Sequence, residues 1–485
     1  MSTYAVPSTP QARQDFQYSS TVDGLLKNVY IPALNNTIFH ATPLLEMFGE
    51  FGGTIDFQGN KIIKAFKYQG AGGFRGISEG GDFVTPAKQK GFQGYERLKY
   101  LNIYFELTGP AALTVQSGEG AFVSAVQSAM DDTLKLGRMN MERMVAGRCS
   151  AEVARFTSAD HTETAMANGE YLPAAAEATD SSYLASTHDL TALKTWGGYS
   201  GTAWLYNGLE VYLMVTADLT TALEDSNQDV VQSTEMAGPF EVEYVDHING
   251  TFALKYTGTD ALNLTDDSAA HIELGAESVS LVLSDSYGQI EDAGGTDANR
   301  CLEINGLLNL VDDGGYIWNL ARSTYPNSLK SRVVDADAAE LTEDYLTLIL
   351  LDQVNLQQNT PNVVVTSPKA KQTYFTNVKD DRQFNTFIMD SQTGYRRLGV
   401  TIDSYSMYLE TIASLPSDHL LMLNTGDFKW ARATDGFKWI ESGGQILRPK
   451  ESSDNIFGTA VSYCNLVCEN PRGQTKVEDI EYDYV

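Results

Sequence analysis

Cysteine is scarce in this chain: four residues in 485, Cys149, Cys301, Cys464 and Cys468. None makes a Cys-x-x-Cys pair, which removes zinc ribbons and thioredoxin-like redox motifs from consideration. Cys464 and Cys468 stand four apart in a strand-like run, about 13 Å at the strand rise. That is too far for a disulfide, and the pattern fits a reducing compartment. Histidine is nearly as rare. His40, His161, His188, His247, His271 and His419 show no His-x-x-x-His spacing and no zinc-like spacing to a cysteine. Positive charge is short: 34 basic residues face 63 acidic ones, a net of −29. Such a surface repels nucleic-acid phosphate and lacks the basic stripe of a dedicated nucleic-acid binder. Long apolar runs are missing, since no window approaches the roughly 18 residues of a membrane span. Met1-Ser-Thr-Tyr-Ala-Val-Pro has neither the basic start nor the apolar stretch of a secretory signal.

Catalytic signatures are equally thin. No Gly-Lys-Ser/Thr exists, so there is no Walker-type phosphate loop, and Arg75 stands where a dinucleotide fingerprint starting at Gly70 needs its last glycine. Gly76-Ile-Ser-Glu-Gly80 does match Gly-x-Ser-x-Gly. A nucleophile elbow needs an apolar strand before the serine and a helix after it. Here a glycine-rich run precedes Ser78, and Gly81-Asp-Phe-Val-Thr-Pro86 opposes a helix. Asp266-Asp267 and Asp312-Asp313 do not begin the oxygen-ligand loop of a calcium site. His161-Thr-Glu163 is at most half a metal site. The expectation is a non-enzyme with no catalytic, cofactor-binding or metal-ligating residues. The rival from another class is a cytosolic hydrolase using Ser78.

What is present is the composition of a globular protein, 42% hydrophobic and 10% aromatic, long enough for about two to four domains. Residues 1–28 are polar, with Pro7 and Pro10, and read as an arm. Val29–Phe48 suggests short helical pieces. Lys61–Tyr68 reads as a strand whose lysines suit an exposed edge. Gly70–Gly94 then holds eight glycines, a length without periodicity that is usually functional or disordered. Over Lys61–Tyr100 eight basic residues face three acidic ones, a local net of +5 in an acidic protein. This predicts an arm that lies on an acidic neighbouring subunit, its register set by charge. Leu98–Leu107 alternates cleanly, with Leu101, Ile103, Phe105 and Leu107 on one side. Ser117 precedes a helical stripe of Phe122, Val126, Met130, Leu134, Gly137, Met141, Met144 and Val145. About 28 residues make a rod of roughly 42 Å.

Beyond the helix, Glu210–Thr216, Phe240–Val245, Thr251–Tyr256 and Val279–Leu283 read as strands, with Asn249-Gly250 as a hairpin signal. From Glu241 to Arg300 twelve acidic residues face two basic ones, which suits an exposed, mainly-β module. Leu341-Thr-Glu-Asp starts a helix, Val363–Val365 is a buried strand, and Pro368 opens a helix at its tolerated first position. The alternation suggests an α/β domain. Phe428-Lys-Trp and Phe437-Lys-Trp echo each other around Asp435-Gly436 and predict a hairpin. Tyr463–Cys468 reads as a last strand.

Several of these stretches resemble the major capsid proteins of tailed bacteriophages. They are Gly59–Lys67, Ile77-Ser-Glu-Gly-Gly-Asp-Phe-Val, the strand ending Glu106-Leu-Thr-Gly-Pro, the long helix, Glu303-Ile-Asn-Gly-Leu-Leu-Asn-Leu-Val-Asp-Asp-Gly-Gly, Ala321-Arg-Ser-Thr-Tyr-Pro, Val363-Val-Val-Thr-Ser-Pro-Lys and Leu421-Met-Leu-Asn-Thr-Gly-Asp-Phe-Lys-Trp. The resemblance covers most of the chain and rests on their order. It implies an α+β fold of the Hong Kong 97 type, with an extended β-hairpin arm (E-loop), a long spine helix, an axial α/β domain and an inserted mainly-β domain. The implied division is 1–54 for the N-terminal arm and start of the peripheral domain, 55–100 for the extended arm, and 101–151 for the peripheral domain with its spine helix. Residues 152–303 are the inserted domain, 304–440 the axial domain, and 441–485 a return to the peripheral domain.

The implied function is a shell protein that assembles as hexamers and pentamers into an icosahedral head around double-stranded DNA, without sequence-specific binding. Portal, scaffold and decoration proteins are the implied further partners, with no membrane. Assembly would occur in the host cytoplasm and the product would be the virion capsid. Scaffolding, if needed, is expected from a separate protein. Lysine–asparagine crosslinking through Lys88 or Lys90 lacks an identifiable partner asparagine. The arm residues expected to meet a neighbour are Lys61, Lys64, Arg75, Glu79, Asp82, Lys88 and Lys90. The nearest alternative is an encapsulin-like cellular nanocompartment.

Overall fold

The computed structural model describes residues 44, 45, 47, 48, 53–56, 61–82, 85–107, 119–149, 151–157, 165–166, 190–192, 201–215, 237–258, 262–263, 278–283, 302–378, 388–389, 396–402, 405–412, 414–433, 436–441, 446–449 and 455–481. The earliest of these, Leu44, Leu45, Met47 and Phe48, are helical. β1 (Gly53–Asp56) follows. Next come β2 (Ile62–Gln69) and β3 (Lys90–Glu96), which pair antiparallel as a two-stranded arm. β4 (Lys99–Leu107) has the predicted alternation, with Phe105 buried and Tyr100, Asn102 and Tyr104 exposed. α1 (Glu119–Ala146) is the long rod. Over its described side chains the predicted stripe holds: Gly137, Met144 and Val145 are buried, while Asp131, Lys135 and Arg138 face out. Phe122 and Val126 lie outside the described side chains.

α1 is the beam on which two cores are hung. Met144, Val145 and Ala146 join one apolar cluster with Leu44, Phe48, Trp318 and Phe428. Met139 joins another inside the following β module. Gly137 lets the helix sit close on the sheet below, since a Cβ there would come within 2.9 Å of Phe437 and 3.0 Å of Ile103. On the opposite side Glu142 is fully buried and accepts the N–H groups of Leu44 (2.9 Å) and Leu45 (3.0 Å). A carboxylate there satisfies donors that the first turn of a helix leaves unpaired.

β5 (Glu152–Thr157) opens the β module. A separate ribbon pairs β6 (Ala165–Met166) with β11 (Leu262–Asn263). β7 (Leu190–Thr191), β8 (Glu210–Val215), β9 (Ala237–Asp246), β10 (Thr251–Tyr256) and β12 (Ser278–Val282) complete a sheet in the order β5-β12-β8-β9-β10-β7, every pair antiparallel. Asn249-Gly250 turns β9 into β10 as the sequence predicts. Asp246 accepts the Ile248 and Asn249 N–H groups, and Gly250 has φ 72°. The module leaves and rejoins the body at one place. There the Arg143 guanidinium pairs with Glu303, both side chains buried, and also donates to the Glu152 carbonyl at 3.0 Å. Glu303 in turn accepts the Ala151 N–H at 3.0 Å.

α2 (Leu307–Leu310), β13 (Tyr316–Ile317), β14 (Leu320–Ala321) and α3 (Pro326–Leu329) pack beneath the arm. A mixed sheet then takes β15 (Arg332–Glu340), β16 (Val363–Thr366), β17 (Ile388–Met389), β18 (Arg396–Ile402), β19 (Tyr405–Thr411) and β20 (Leu420–Leu423). α4 (Glu343–Asp352) and α5 (Pro368–Val378) cover one of its faces. Thr342 caps α4 by accepting the Tyr345 N–H, which is the predicted start, and a π-helical turn, Gln353–Gln357, extends it.

The C-terminal stretch corrects one expectation. β21 (Phe428–Arg432) and β22 (Lys438–Trp439) do not form a hairpin. Both lie along one edge of the long strand β24 (Ile456–Cys468), followed there by β23 (Arg448–Pro449), while β4 takes the other edge. The thirteen-residue β24 offers more edge than either short copy can fill, so the echoed motif is used twice end to end. The strands on either side of the expected division at 440/441 are shared between two sheets. β21 belongs with β4 and β24, whereas β25 (Thr475–Glu481) inserts between β15 and β20 of the mixed sheet. Residues 441–485 therefore return to the arm-bearing sheet through β24 and then cross to the other. Val477 and Ile480 find their apolar cluster only there.

Candidate assembly arm

The arm is rooted by aromatic stacking. Phe66 of β2 stacks on Phe92 of β3 at 5.1 Å, and Phe92 stacks nearly parallel on Tyr325 at 3.8 Å. Tyr68 leans on Tyr325 at 5.8 Å, and Trp318 meets the edge of Phe66 at 6.0 Å. Trp318 and Asn319 form a two-residue hairpin turn between β13 and β14, both with positive φ (54° and 56°), as a type I′ turn requires. Hydrogen bonds hold this turn to the arm and the body. Trp318 N–H donates to Glu96 Oε1 (2.9 Å), Tyr95 N–H to the Trp318 carbonyl (3.0 Å), and the indole N–H to the Cys468 carbonyl (2.8 Å). Beneath it, buried Arg322 donates to the Asn309 and Asp312 carbonyls. Its pKa is lowered by burial, with the Asp312 charge opposing.

The glycines of β3 explain why the returning limb was not legible as a strand. Gly91 faces the Phe66 carbonyl so closely that a Cβ would lie 2.6 Å away, and a Cβ on Gly94 would lie 2.6 Å from the Trp318 Cβ. Both are strand residues by necessity of close approach, although glycine is a poor strand former. The pairing continues past the strands, since Gly72 and Ala87 exchange backbone hydrogen bonds (3.2 and 3.0 Å).

At the far end every residue from 70 to 80 is exposed. Arg75 donates to the Asp82 carbonyl across the tip at 2.8 Å, and Gly81 N–H closes a turn on the Ser78 carbonyl at 2.9 Å. Gly80 supplies the positive φ of 77°. This turn is what stands in place of a nucleophile elbow: among the described residues no strand leads into Ser78 and no helix leaves it.

The seven predicted contact residues separate into two groups. Arg75, Glu79 and Asp82 lie together at the tip, and Lys88 and Lys90 on the exposed returning limb. Lys61 and Lys67 are exposed, as the edge reading expects, while Lys61 and Lys64 also touch their own chain. Lys61 Nζ sits 3.7 Å from the centroid of the Tyr95 ring, and Lys64 turns toward the body and pairs with Glu469 at 3.6 Å. The alternation of β2 also sends Ile63 outward beside Lys67.

Sequence reasoning missed the apolar half of the tip. Phe74 is fully exposed, and Ile77 is about half exposed. The available signal was two large apolar side chains inside a glycine-rich run. It also missed an ionic cluster that joins β20 to β25. His419 is buried between Asp418 (2.7 Å) and Glu478 (3.4 Å), Lys476 bridges Glu478 (2.8 Å) and Asp312 (3.0 Å), and Arg148, just beyond α1, approaches Glu478 at 3.8 Å. Burial alone would lower the His419 pKa, but hydrogen bonds and charge from Asp418 and Glu478 outweigh it and the net shift is upward. The hydrogen bond from His419 and the Lys476 ammonium hold Glu478 well below the usual carboxylate range. Asp312 is thereby engaged with Lys476, and among the described residues no cluster of metal-ligating side chains occurs.

No family model and no curated protein matches the chain. Among solved structures it is similar to the cyanophage A-1(L) capsid asymmetric unit over 94% of its own length and 98% of that chain, at 10% identity and a TM-score of 0.45. It is also similar to the satellite phage P4 procapsid that includes the size determination protein, over 91% and 98% of the two chains, at 11% identity and a TM-score of 0.33. A shorter likeness, 32% of this chain and 56% of the other, is to the SrpI encapsulin complex of Synechococcus elongatus PCC 7942, at 12% identity and a TM-score of 0.23.

Proposed function

We propose that this chain is a structural shell protein, the major capsid protein of a tailed bacteriophage, many copies of which close into an icosahedral head around double-stranded DNA. The observation that carries this reading is the arm. Its root is secured by stacked rings and backbone hydrogen bonds, yet its tip presents Phe74 and Ile77 to solvent beside Arg75. A single chain gains nothing from a stiffly mounted apolar tip, whereas a neighbouring copy covering it removes that surface from water. Arg75, Glu79, Asp82, Lys88 and Lys90 are the polar residues assigned to that contact, and the acidity of the rest of the chain favours a basic arm landing on it.

In this reading β2, β3 and the tip are the E-loop and α1 is the spine helix. The sheet of β4, β21 and β24 is the peripheral domain, the mixed sheet is the axial domain, and the β5–β12 sheet is the insertion. Each copy makes several modest contacts as hexamers and pentamers form, and closure converts them into a stable particle. The net charge of −29 suits a container that must not adhere to the DNA it holds. Scaffold, portal and decoration proteins are the further partners, and assembly takes place in the host cytoplasm.

Removing residues 73–86 tests the assignment. The Gly72–Ala87 bridge marks where the limbs can be rejoined, so the shortened chain should keep its fold by circular dichroism and give no closed particles by electron microscopy. An unchanged particle yield would refute the arm's role. A full-length chain that stays monomeric with scaffold supplied would refute the shell function itself.

A further inference from the structure

The two-helix layer on the mixed sheet carries two complementary surfaces. α4 buries Leu346, Ile349 and Leu350 against the sheet. Its opposite stripe, at the spacing that aligns residues on one helix face, consists of Asp344, Leu348 and Leu351. All three are exposed, the leucines at 57% and 37%. α5 buries Ala370 and Tyr374 on the same sheet. Beside that contact it bounds an open, mostly apolar hollow lined by Pro368, Lys371, Gln372, Phe375 and Thr376, with Thr411 of β19 in the sheet as the remaining wall. Lys371 Nζ stands 5.9 Å from the Phe375 ring centroid. Partial burial lowers the pKa of that ammonium while the nearby Glu410 charge raises it, so a cation at this rim is incompletely solvated. One surface is thus an apolar ridge with a carboxylate at its end. The other is an apolar hollow with an ammonium at its lip.

We propose that the Asp344–Leu348–Leu351 ridge of one copy seats in the Phe375 hollow of a second copy, with Asp344 meeting Lys371. The partner is another copy of this chain because each surface carries what the other needs in shape and in sign of charge. Ridge and hollow are different patches, so the contact is heterologous, the kind that generates rings when its rotation closes. The inference rests on the shell reading for its purpose, as a contact within capsomers, and adds a second interface that does not involve the arm.

Charge exchange is the test. Asp344→Lys and Lys371→Asp, made singly, should each cut the yield of oligomers at least tenfold in sedimentation velocity and electron microscopy, with thermal melts near that of the parent. The pair combined should restore most of it. Leu348→Ser with Leu351→Ser alters only exposed side chains and should keep the fold while losing oligomers. Single reversals and the serine pair that assemble like the parent would overturn the contact. So would a combined variant as defective as the singles. The deletion of 73–86 reads the arm separately. Its self-association at high concentration, short of closed particles, should still be abolished by Asp344→Lys, and insensitivity to that change would also count against the contact.

Discussion

Two kinds of glycine occupy the arm, and they predict opposite experiments. Gly94 is demanded by the chain itself, because Trp318 fills the space a Cβ would take. Gly94→Ala should cost about 1–3 kcal/mol, the usual range for overpacking, and appear as a lowered melting temperature. Gly76 has nothing within 4 Å of its missing Cβ and no positive φ. Gly76→Ala should leave the melt of the subunit unchanged or slightly raised, since alanine restricts the unfolded chain, while particle yield falls if the tip seats closely on a neighbour. His419 supplies a pH test. Its folded pKa is raised, so its contribution is complete below the ordinary value of 6.5 and is lost as pH rises through the folded value. Asp418 and Glu478 have depressed pKa values and act in the opposite sense, weakening the cluster as pH falls. The urea midpoint should therefore decline as pH is raised from 6.5, and His419→Gln should flatten that decline. A parent midpoint that does not change with pH would contradict the assignment.

At the scale of elements, several local readings hold, while the local hairpin signal at Asp435-Gly436 does not, because β21 and β22 both pair with β24. The strand β4, the capped start of α4, the Asn249-Gly250 hairpin and the rod α1 each depend on spacing within a few residues. Strand β3 was hidden because its glycines answer to Phe66 and Trp318, which the local pattern does not contain. The same holds for the junction of the β module. Arg143 and Glu303 lie 160 residues apart and meet in the interior, where each charge is tolerable only because the other is there. Glu303→Gln leaves the guanidinium buried without its counter-charge. The expected loss is about 3–5 kcal/mol, measured as a shift in the denaturation midpoint. A loss under about 1 kcal/mol would mean that water or another acid replaces it.

For the whole molecule, the proposed shell assembly rests on the exposed arm, whose apolar tip the rest of the chain leaves uncovered. The removal of 73–86 and the exchange of Asp344 with Lys371 probe two separate contacts of that assembly. Of the candidate site, the sequence disclosed the arm's position, its basic character and the polar residues of its tip. It did not disclose that Lys64 pairs with Glu469, nor that Phe74 and Ile77 are the apolar points of the tip. Whether a lysine faces solvent or the body depends on strand phase and on Glu469, which lies some four hundred positions away in sequence.

The sequence by itself determined the elements whose causes are local: periodicity set α1, alternation set β4, and turn chemistry set β9–β10. The missing zinc spacings, phosphate loop and long apolar runs were equally legible, because they are features of the linear sequence. Only the tertiary structure decided that β25 crosses into the mixed sheet and that the echoed Phe-Lys-Trp segments share one edge of β24. It alone assembled the His419 and Arg143 clusters and showed where the arm is anchored. The physical reason is common to all of these. They are pairings across a long sequence separation, chosen by which distant groups satisfy buried charge, open strand edges and unfilled volume, and no short window of sequence contains both partners.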